Sequence, residues 1–306
     1  MSETGENPSV REWGEEALVS HLLAGLSSAP GVLTGPGDDC AVLESDSESG
    51  ELLLFKTDSV VEGVHFKEGT DAERVGRKAL CRAISDMAAM GGRPTFALVT
   101  LAVDDERAVS EVTGWYRGIH EAAESFGCAV VGGETTRLPA RGALLSIALL
   151  GKVGRNECLL RSGGKVGDFV AVTGRLGGSF ASGRHLTFSP RVEQGQWLAK
   201  SGAVTAMMDL SDGVGSDLPR LAKSSGVGYA IDLESVPCHE GVPVERAITE
   251  GEDYELLLTV SPGAWDSLAK DWGGRFPDCE LTKIGELTES TDRSLPSGWE
   301  HYRNRE

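Results

Sequence analysis

Two α+β domains are the fold class this sequence predicts, on three observations. The chain has 306 residues, about twice a typical ~150-residue domain. Apolar strands and periodic helices alternate irregularly in both halves. Between Gly151 and Gly167 the text turns rich in glycine and charge, as a connection does. The boundary is set there, giving domains over 1–150 and 151–306.

The elements follow in order. Ser9 and Glu12 form a capping box ahead of Trp13, Leu18, Leu22 and Leu23 at helical spacing, which predicts an opening helix. Strands are expected at CAVL (40–43) and ELLLFKTD (51–58). Thr70 and Glu73 offer a second capping box, and the helix it starts runs to Met90, before Gly91 and Gly92. FALVTLAV (96–103) reads as a strand and 105–126 as a helix ending at Gly127. CAVVGG (128–133) and ALLSIALLGKV (143–153) are strands around a polar loop. The second half repeats the style. It has a strand at FVAVTG (169–174), helices around 178–201, a strand at AVTAMMDL (203–210) and a helix from near Gly213 to before Gly226. Strands GYAIDL (228–233) and YELLLTV (254–260), a helix after Pro262 and strand KIGEL (283–287) complete it.

Composition narrows the function. Asp and Glu total 47 against 29 Lys and Arg, a net charge of −18. A field of that sign repels nucleic acid and anionic membrane surfaces, and no basic patch offsets it. The apolar run at Ala143–Leu150 is far shorter than the ~20 residues a membrane helix needs. The opening MSETGENPSV lacks a basic segment followed by an apolar one, so a cytoplasmic location is expected. Six scattered cysteines without a CxxC pair read as reduced, mostly buried thiols. Glycine, 40 of 306 residues against roughly 7% in average proteins, implies tight turns and close backbone approaches to a ligand.

The chemistry lies in the company the aspartates keep. GPGDDCAVL (35–43), KTDSVVEGVHF (56–66), AISDMAAMGG (83–92), VVGGETTR (130–137), MDLSDGVGSDL (208–218) and EGEDYELLL (250–258) each set acids beside glycine or small residues at the ends of apolar runs. One such Asp reads equally well as an N-cap or turn residue. Six segments of one style point to function. Clustered carboxylates repel, and need cations or raised pKa values. Mg²⁺ takes oxygen ligands and bridges carboxylates to phosphates, so these loops point to metal-bridged nucleotide binding. In MDLSDG, Asp209 and Asp212 flank a helix N-terminus, where backbone N–H groups favour phosphate oxygens. The plainer alternative makes Ser211 or Asp212 the N-cap. Standard nucleotide loops are absent: GGK (163–165) has Val166 where Ser or Thr is required, no GxGxxG follows a strand, and HRD and DFG are missing.

The segments GDDCAV, TDSVVEGVHF, SDMAAMG, VGGETTR, LLRSG, HLTFSPR, MDLSDG and GEDYELLL, in that order, resemble the thiamine-monophosphate kinase family. It sits in the superfamily of aminoimidazole ribonucleotide synthetase, selenophosphate synthetase and a hydrogenase maturation factor. The likeness runs from about residue 35 to 258, with a fainter match at GWEHY (298–302). It implies an aminoimidazole ribonucleotide synthetase-like fold of two α+β domains. The N-terminal domain would pair with a second copy into a β-barrel-like homodimer core, and the C-terminal domain would be an α/β sandwich. ATP would lie in the cleft between them, and its γ-phosphate would pass to thiamine monophosphate. The resemblance implies several Mg²⁺ ions held by Asp39, Thr57, Asp58, Asp86, Glu134, Asp209 and Asp212. It implies ATP contacts from Gly133, Glu134, Arg161 and Ser211, and contacts to thiamine monophosphate from His65, Glu252 and Trp299. Trp299 would stack on a thiamine ring or anchor packing, and Tyr116 reads as a core aromatic rather than an adenine contact. No general base is expected, because the nucleophile is an ionised phosphate oxygen.

Four features depart from the family's pattern: Glu134 for Asp, Lys56 for a small hydroxyl residue, Ala83 for Asn, and a shortened stretch between LGGSFASG and RHL. Lys56 would take one metal's place or interfere with it. Two rival readings remain. One is another ATP-dependent synthetase or kinase of this superfamily; the first cysteine, Cys40 inside GDDC, and the ending HYRNRE argue against its cysteine-using branches. The other is a non-catalytic acidic metal-binding module, and no EF-hand spacing supports it.

Overall fold

The computed structural model describes residues 9–26, 29–46, 50–291 and 294–302. Helix α1 (Val10–Leu23) starts on the expected box: the Ser9 hydroxyl accepts from Glu12 N–H, and the Glu12 carboxylate accepts from Ser9 N–H at 2.7 Å. Gly14, at φ 74°, kinks it, and Leu22 is exposed rather than packed. Strands β1 (Val32–Thr34), β2 (Ala41–Leu43) and β3 (Glu51–Val61) lead to helix α2 (Ala72–Ala89). The cap of α2 differs from expectation. Asp71 accepts from Arg74 N–H at 3.0 Å, while Thr70 N–H closes a turn onto Lys67, so the Thr70–Glu73 box does not form.

Strand β4 (Arg93–Val103), helix α3 (Val109–Ser125), β5 (Ala129–Arg137) and β6 (Ala143–Gly154) complete the first half. They form a six-stranded sheet of order β1-β2-β3-β6-β4-β5, in which β4 and β5 are parallel and the other neighbours antiparallel. Helices α2 and α3 cover one face. They approach closely because a Cβ on Gly76 would stand 1.8 Å from the Trp115 carbonyl, and one on Gly118 1.8 Å from that of Glu73. Leu54, Val60, Leu80, Ile84, Val99 and Ile147 pack between sheet and helices as the core. The other face is open. Phe55, Phe96, Leu98 and Val131 are 50, 49, 47 and 59% exposed.

The second half runs β7 (Phe169–Thr173), α4 (Ser179–Ser182), α5 (Val192–Ser201), β8 (Val204–Asp209), α6 (Val214–Ser225), β9 (Gly228–Ile231), α7 (Val244–Thr249), β10 (Leu256–Val260), α8 (Pro262–Arg275) and β11 (Leu281–Thr288). Its five strands form an antiparallel sheet of order β8-β10-β7-β11-β9. Separate apolar clusters lie on its two faces, one under α6 and α7 and one under α5 and α8. Strand β1 and helix α7 were not read from the sequence; at three and six residues they are too short to show a period. All six cysteines are unpaired.

Candidate active site

Strand β3 sorts its side chains by the period of two. Leu54, Lys56, Asp58 and Val60 face the helices, whereas Phe55, Thr57 and Ser59 face the open side. Helix α2 answers with Lys78, Arg82 and Asp86, spaced i, i+4, i+8 along one line. The loop before β2 adds Asp38 and Asp39, and β8 ends on Asp209. One carboxylate oxygen from each of Asp39, Asp86 and Asp209 falls within 4.8 Å of the others, and all three residues are buried.

Protein cations offset part of this charge. Lys56 Nζ donates to Asp86 at 2.8 Å, Arg82 Nε to Asp58 at 3.2 Å, and Arg161 Nε to Asp39 at 3.1 Å. Ser85 Oγ donates to Asp209 at 2.7 Å. Asp39 Oδ2 is buried without a hydrogen-bond partner among the described residues. The imbalance shows in the acidities. Burial and then the charge of Asp39 push Asp209 up to about 7; burial pushes Asp86 well above the carboxylate range against the pull of Lys56. Buried hard oxygen donors with surplus negative charge fit Mg²⁺.

Ser211 and Asp212 lie between this cluster and α6. The plainer alternative, that one of them caps α6, does not hold: Gly213 is the N-cap, without a side-chain bond. Asp212 N–H instead donates to Asp217 at 3.0 Å, and Arg220 pairs with Asp212 and, at 2.9 Å, with Asp217.

A cavity of about 200 Å³ opens beside the cluster. His65, Arg82, Phe180, Ser211, Asp212, Glu252, Trp299 and His301 line it. The residues expected at the acceptor, His65, Glu252 and Trp299, are therefore brought together from positions far apart in the chain. Trp299 N–H donates to the Asp212 carbonyl at 2.8 Å, which ties the last described segment to the site. Glu252 sits at φ 69° and Tyr254 at φ 54°, both in the left-handed region that non-glycine residues rarely adopt. Burial would raise Glu252, but a hydrogen bond from His185 and the charges of Lys78 and Arg82 hold it down to about 2. His65 Nδ1 accepts from Val61 N–H at 3.1 Å, and burial with the Arg82 charge lowers its pKa to about 3, so it is neutral.

Three expected residues stand elsewhere within one chain. The Thr57 side chain is on the open face, 3.5 Å from Ser146 Oγ, so only its main chain could share an ion with Asp58. Glu134, on β5 opposite Thr100 of β4, stands three strands from β3, or roughly 14 Å at ~4.8 Å per strand. Gly133 is required by its own sheet, because a Cβ there would lie 1.9 Å from the Val99 carbonyl. Tyr116 packs against the N-terminal core, as read.

Residues 37–153 match the family model described as AIR synthase related protein, N-terminal domain, and 165–295 match its C-terminal counterpart. A thiamine-monophosphate kinase of Rhodopirellula baltica is 34% identical over 316 residues, 94% of this chain and 97% of that protein. This chain belongs to the thiamine-monophosphate kinase family. Another relative of that family, from Bacillus subtilis, is 33% identical and covers 84% of this chain and 86% of its own. The solved structure of AaThiL complexed with AMPPCP and TMP superposes with a TM-score of 0.83 at 31% identity, over 96% of this chain and 99% of that one. The hydrogenase maturation protein HypE of E. coli, 19% identical at a TM-score of 0.71, shares the fold.

The sequence reading gave no role to Lys78, Arg82, Phe180, His185 and His301, although Phe180, His185 and His301 lie in segments it singled out. Lys78 and Arg82 had left a signal: two cations at i, i+4 on the line of α2 that four residues on carries Asp86.

Proposed function

We propose that this chain transfers the γ-phosphate of ATP to thiamine monophosphate, giving thiamine diphosphate and ADP, with Mg²⁺ in the acidic cluster. The observation that carries this reading is the junction at Asp58. Arg82 pairs with Asp58 beside the carboxylates and also lines the cavity of His65, Glu252 and Trp299. The ion cluster and the acceptor pocket thus meet at one ion pair.

The attacking group is a phosphate oxygen, ionised near neutral pH, so the protein positions and neutralises rather than removes a proton. Bound Mg²⁺ would screen the repulsion between two anionic substrates, held by Asp39, Asp86 and Asp209 with Asp58 and Asp212 beside them. Arg82 clamps the acceptor phosphate and Arg161 the donor's, each with a planar fork suited to phosphate oxygens. Ser211, at the mouth of α6, donates to the nucleotide. Phe180, Trp299 and His301 offer ring faces to the cationic thiazolium. His65, neutral and fixed by Val61 N–H, presents Nε2 to the acceptor.

Glu134, Gly133 and Thr57 enter this reading through a homodimer. The exposed apolar face bearing Phe55, Phe96, Leu98 and Val131 supports closure against a second copy, which would carry β5 of one chain toward β3 of the other. No described helix is long and apolar enough to cross a membrane. The unpaired cysteines support a reducing, cytoplasmic setting. The test is incubation with ATP, Mg²⁺ and thiamine monophosphate. Thiamine diphosphate and ADP should form in equal amounts; ADP formation only with another acceptor overturns the assignment.

A further inference from the structure

Lys56 stands inside the acidic cluster. It shares the helix-facing side of β3 with Asp58, and its Nζ donates to Asp86 Oδ1 at 2.8 Å. Asp86 is the same residue that offers an oxygen within 4.8 Å of those of Asp39 and Asp209. The Lys56 side chain is 23% exposed and that of Asp86 7%, so the pair is largely withdrawn from water. On the far side Asp39 pairs through Oδ1 with Arg161, while its Oδ2 is buried and without a hydrogen-bond partner among the described residues.

An ammonium and a divalent cation answer the same electrostatic demand at a carboxylate, but they exclude each other. Mg²⁺ and Mn²⁺ need a full shell of oxygen donors at about 2.1 Å. An ammonium has three donors and no acceptor, so it cannot join that shell, and its charge repels the ion. A lysine anchored on a central strand brings its charge without the entropy and dehydration that a free ion gives up.

We propose that Lys56 is a tethered substitute for one divalent ion: it occupies the Asp86 side of the cluster, so this chain binds one divalent cation fewer than it would with a neutral residue at position 56. The remaining ion sites lie toward Asp39 and Asp209, where the unpartnered oxygen is. This deepens the phosphoryl-transfer reading above and rests on it for the cluster's purpose, but the ion count is measured without turnover.

The experiment is equilibrium dialysis with Mn²⁺, in the presence of the non-hydrolysable nucleotide AMPPCP, on wild type, K56S and K56R. K56S should bind one Mn²⁺ more than wild type, and K56R the wild-type number. Equal counts in all three overturn the proposal. K56Q keeps the stem length and should gain the same ion if K56S does not fold. Thermal melts supply a second readout. Without metal, K56S or K56Q should melt below wild type, and saturating Mn²⁺ should close the gap. A gap that Mn²⁺ leaves unchanged makes Lys56 a merely structural partner and overturns the proposal. A changed ion count without thiamine diphosphate formation would leave the substitution standing and remove the kinase assignment instead.

Discussion

Lys78 and Glu252 form an ion pair across the two domains, 174 residues apart in the chain. Lys78 is fully buried on α2; Glu252 comes from the left-handed loop before β10. Lys78 Nζ also donates to the His65 carbonyl at 2.8 Å and meets His185 Nδ1 at 2.9 Å. The pair therefore fixes the wall of the cavity that His65 and Glu252 line.

Breaking this pair from one side should be costly. K78M or E252Q leaves an unmatched buried charge, for which the expected destabilisation is about 3–5 kcal/mol. The double variant should lose less than the sum of the two, because no lone charge remains. Urea melts of the three variants measure it; strict additivity would mean the contact carries no coupling.

Arg82 should matter to the acceptor rather than to the fold. R82M should lower kcat/KM for thiamine monophosphate by about 10²–10³, the scale of losing one charged donor to a transferring group. KM for ATP should change little. A loss confined to the Mg²⁺ dependence would place Arg82 purely behind Asp58.

Asp209 should trade stability for activity. It is buried beside Asp39 and pushed up to about 7, so its charge is unfavourable without a cation. D209N should raise the melting temperature in EDTA at pH 8 by a few degrees, while lowering activity at saturating Mg²⁺ by 10²-fold or more. A lower melting temperature would show that Asp209 already has its compensation from Ser85 and Arg161.

Most strands and long helices were legible, because β3, β4, β6 and α2 show clean periods of two or 3.6 residues. The residues that meet in the acidic cluster and the cavity were legible as motifs at Asp39, Asp86, Asp209, His65, Glu252 and Trp299. What stayed hidden was the face each residue takes. Thr57 and Asp58 are neighbours in sequence and opposites in space, because alternation along β3 parts them. Glu134 looked like one more acid of the set until the strand order put β5 at the far edge. The capping of α2 by Asp71 rather than Thr70 is a choice between adjacent acceptors that local sequence does not resolve.

His65 should shape the acid limb of stability. Its pKa falls from 6.5 to about 3 on folding, through burial and the Arg82 charge. The unfolded chain therefore binds its proton first. Stability is full above about pH 6.5 and declines as pH falls toward 3, by up to about 1.4 kcal/mol per pH unit. H65Q should remove that slope between pH 6 and 4. Glu252, held at about 2, contributes its own loss in a lower window, below about 4.5. Identical pH profiles for H65Q and wild type would mean His65 keeps its ordinary acidity in the fold.

The position of Glu134 makes a prediction about two chains. Within one chain it stands three strands from β3, on the open face, away from Asp86 and Asp209. If it serves the site, it serves the partner's. E134A and D209N should each be nearly inactive alone. After unfolding and refolding together, half of the dimers would be mixed, and each mixed dimer would hold one site with an intact acidic cluster and an intact Glu134 from the other chain. About a quarter of wild-type activity should return. Were Glu134 to act within its own chain, every mixed dimer would carry two broken sites and nothing would return. An active E134A alone would remove Glu134 from the ligand set altogether.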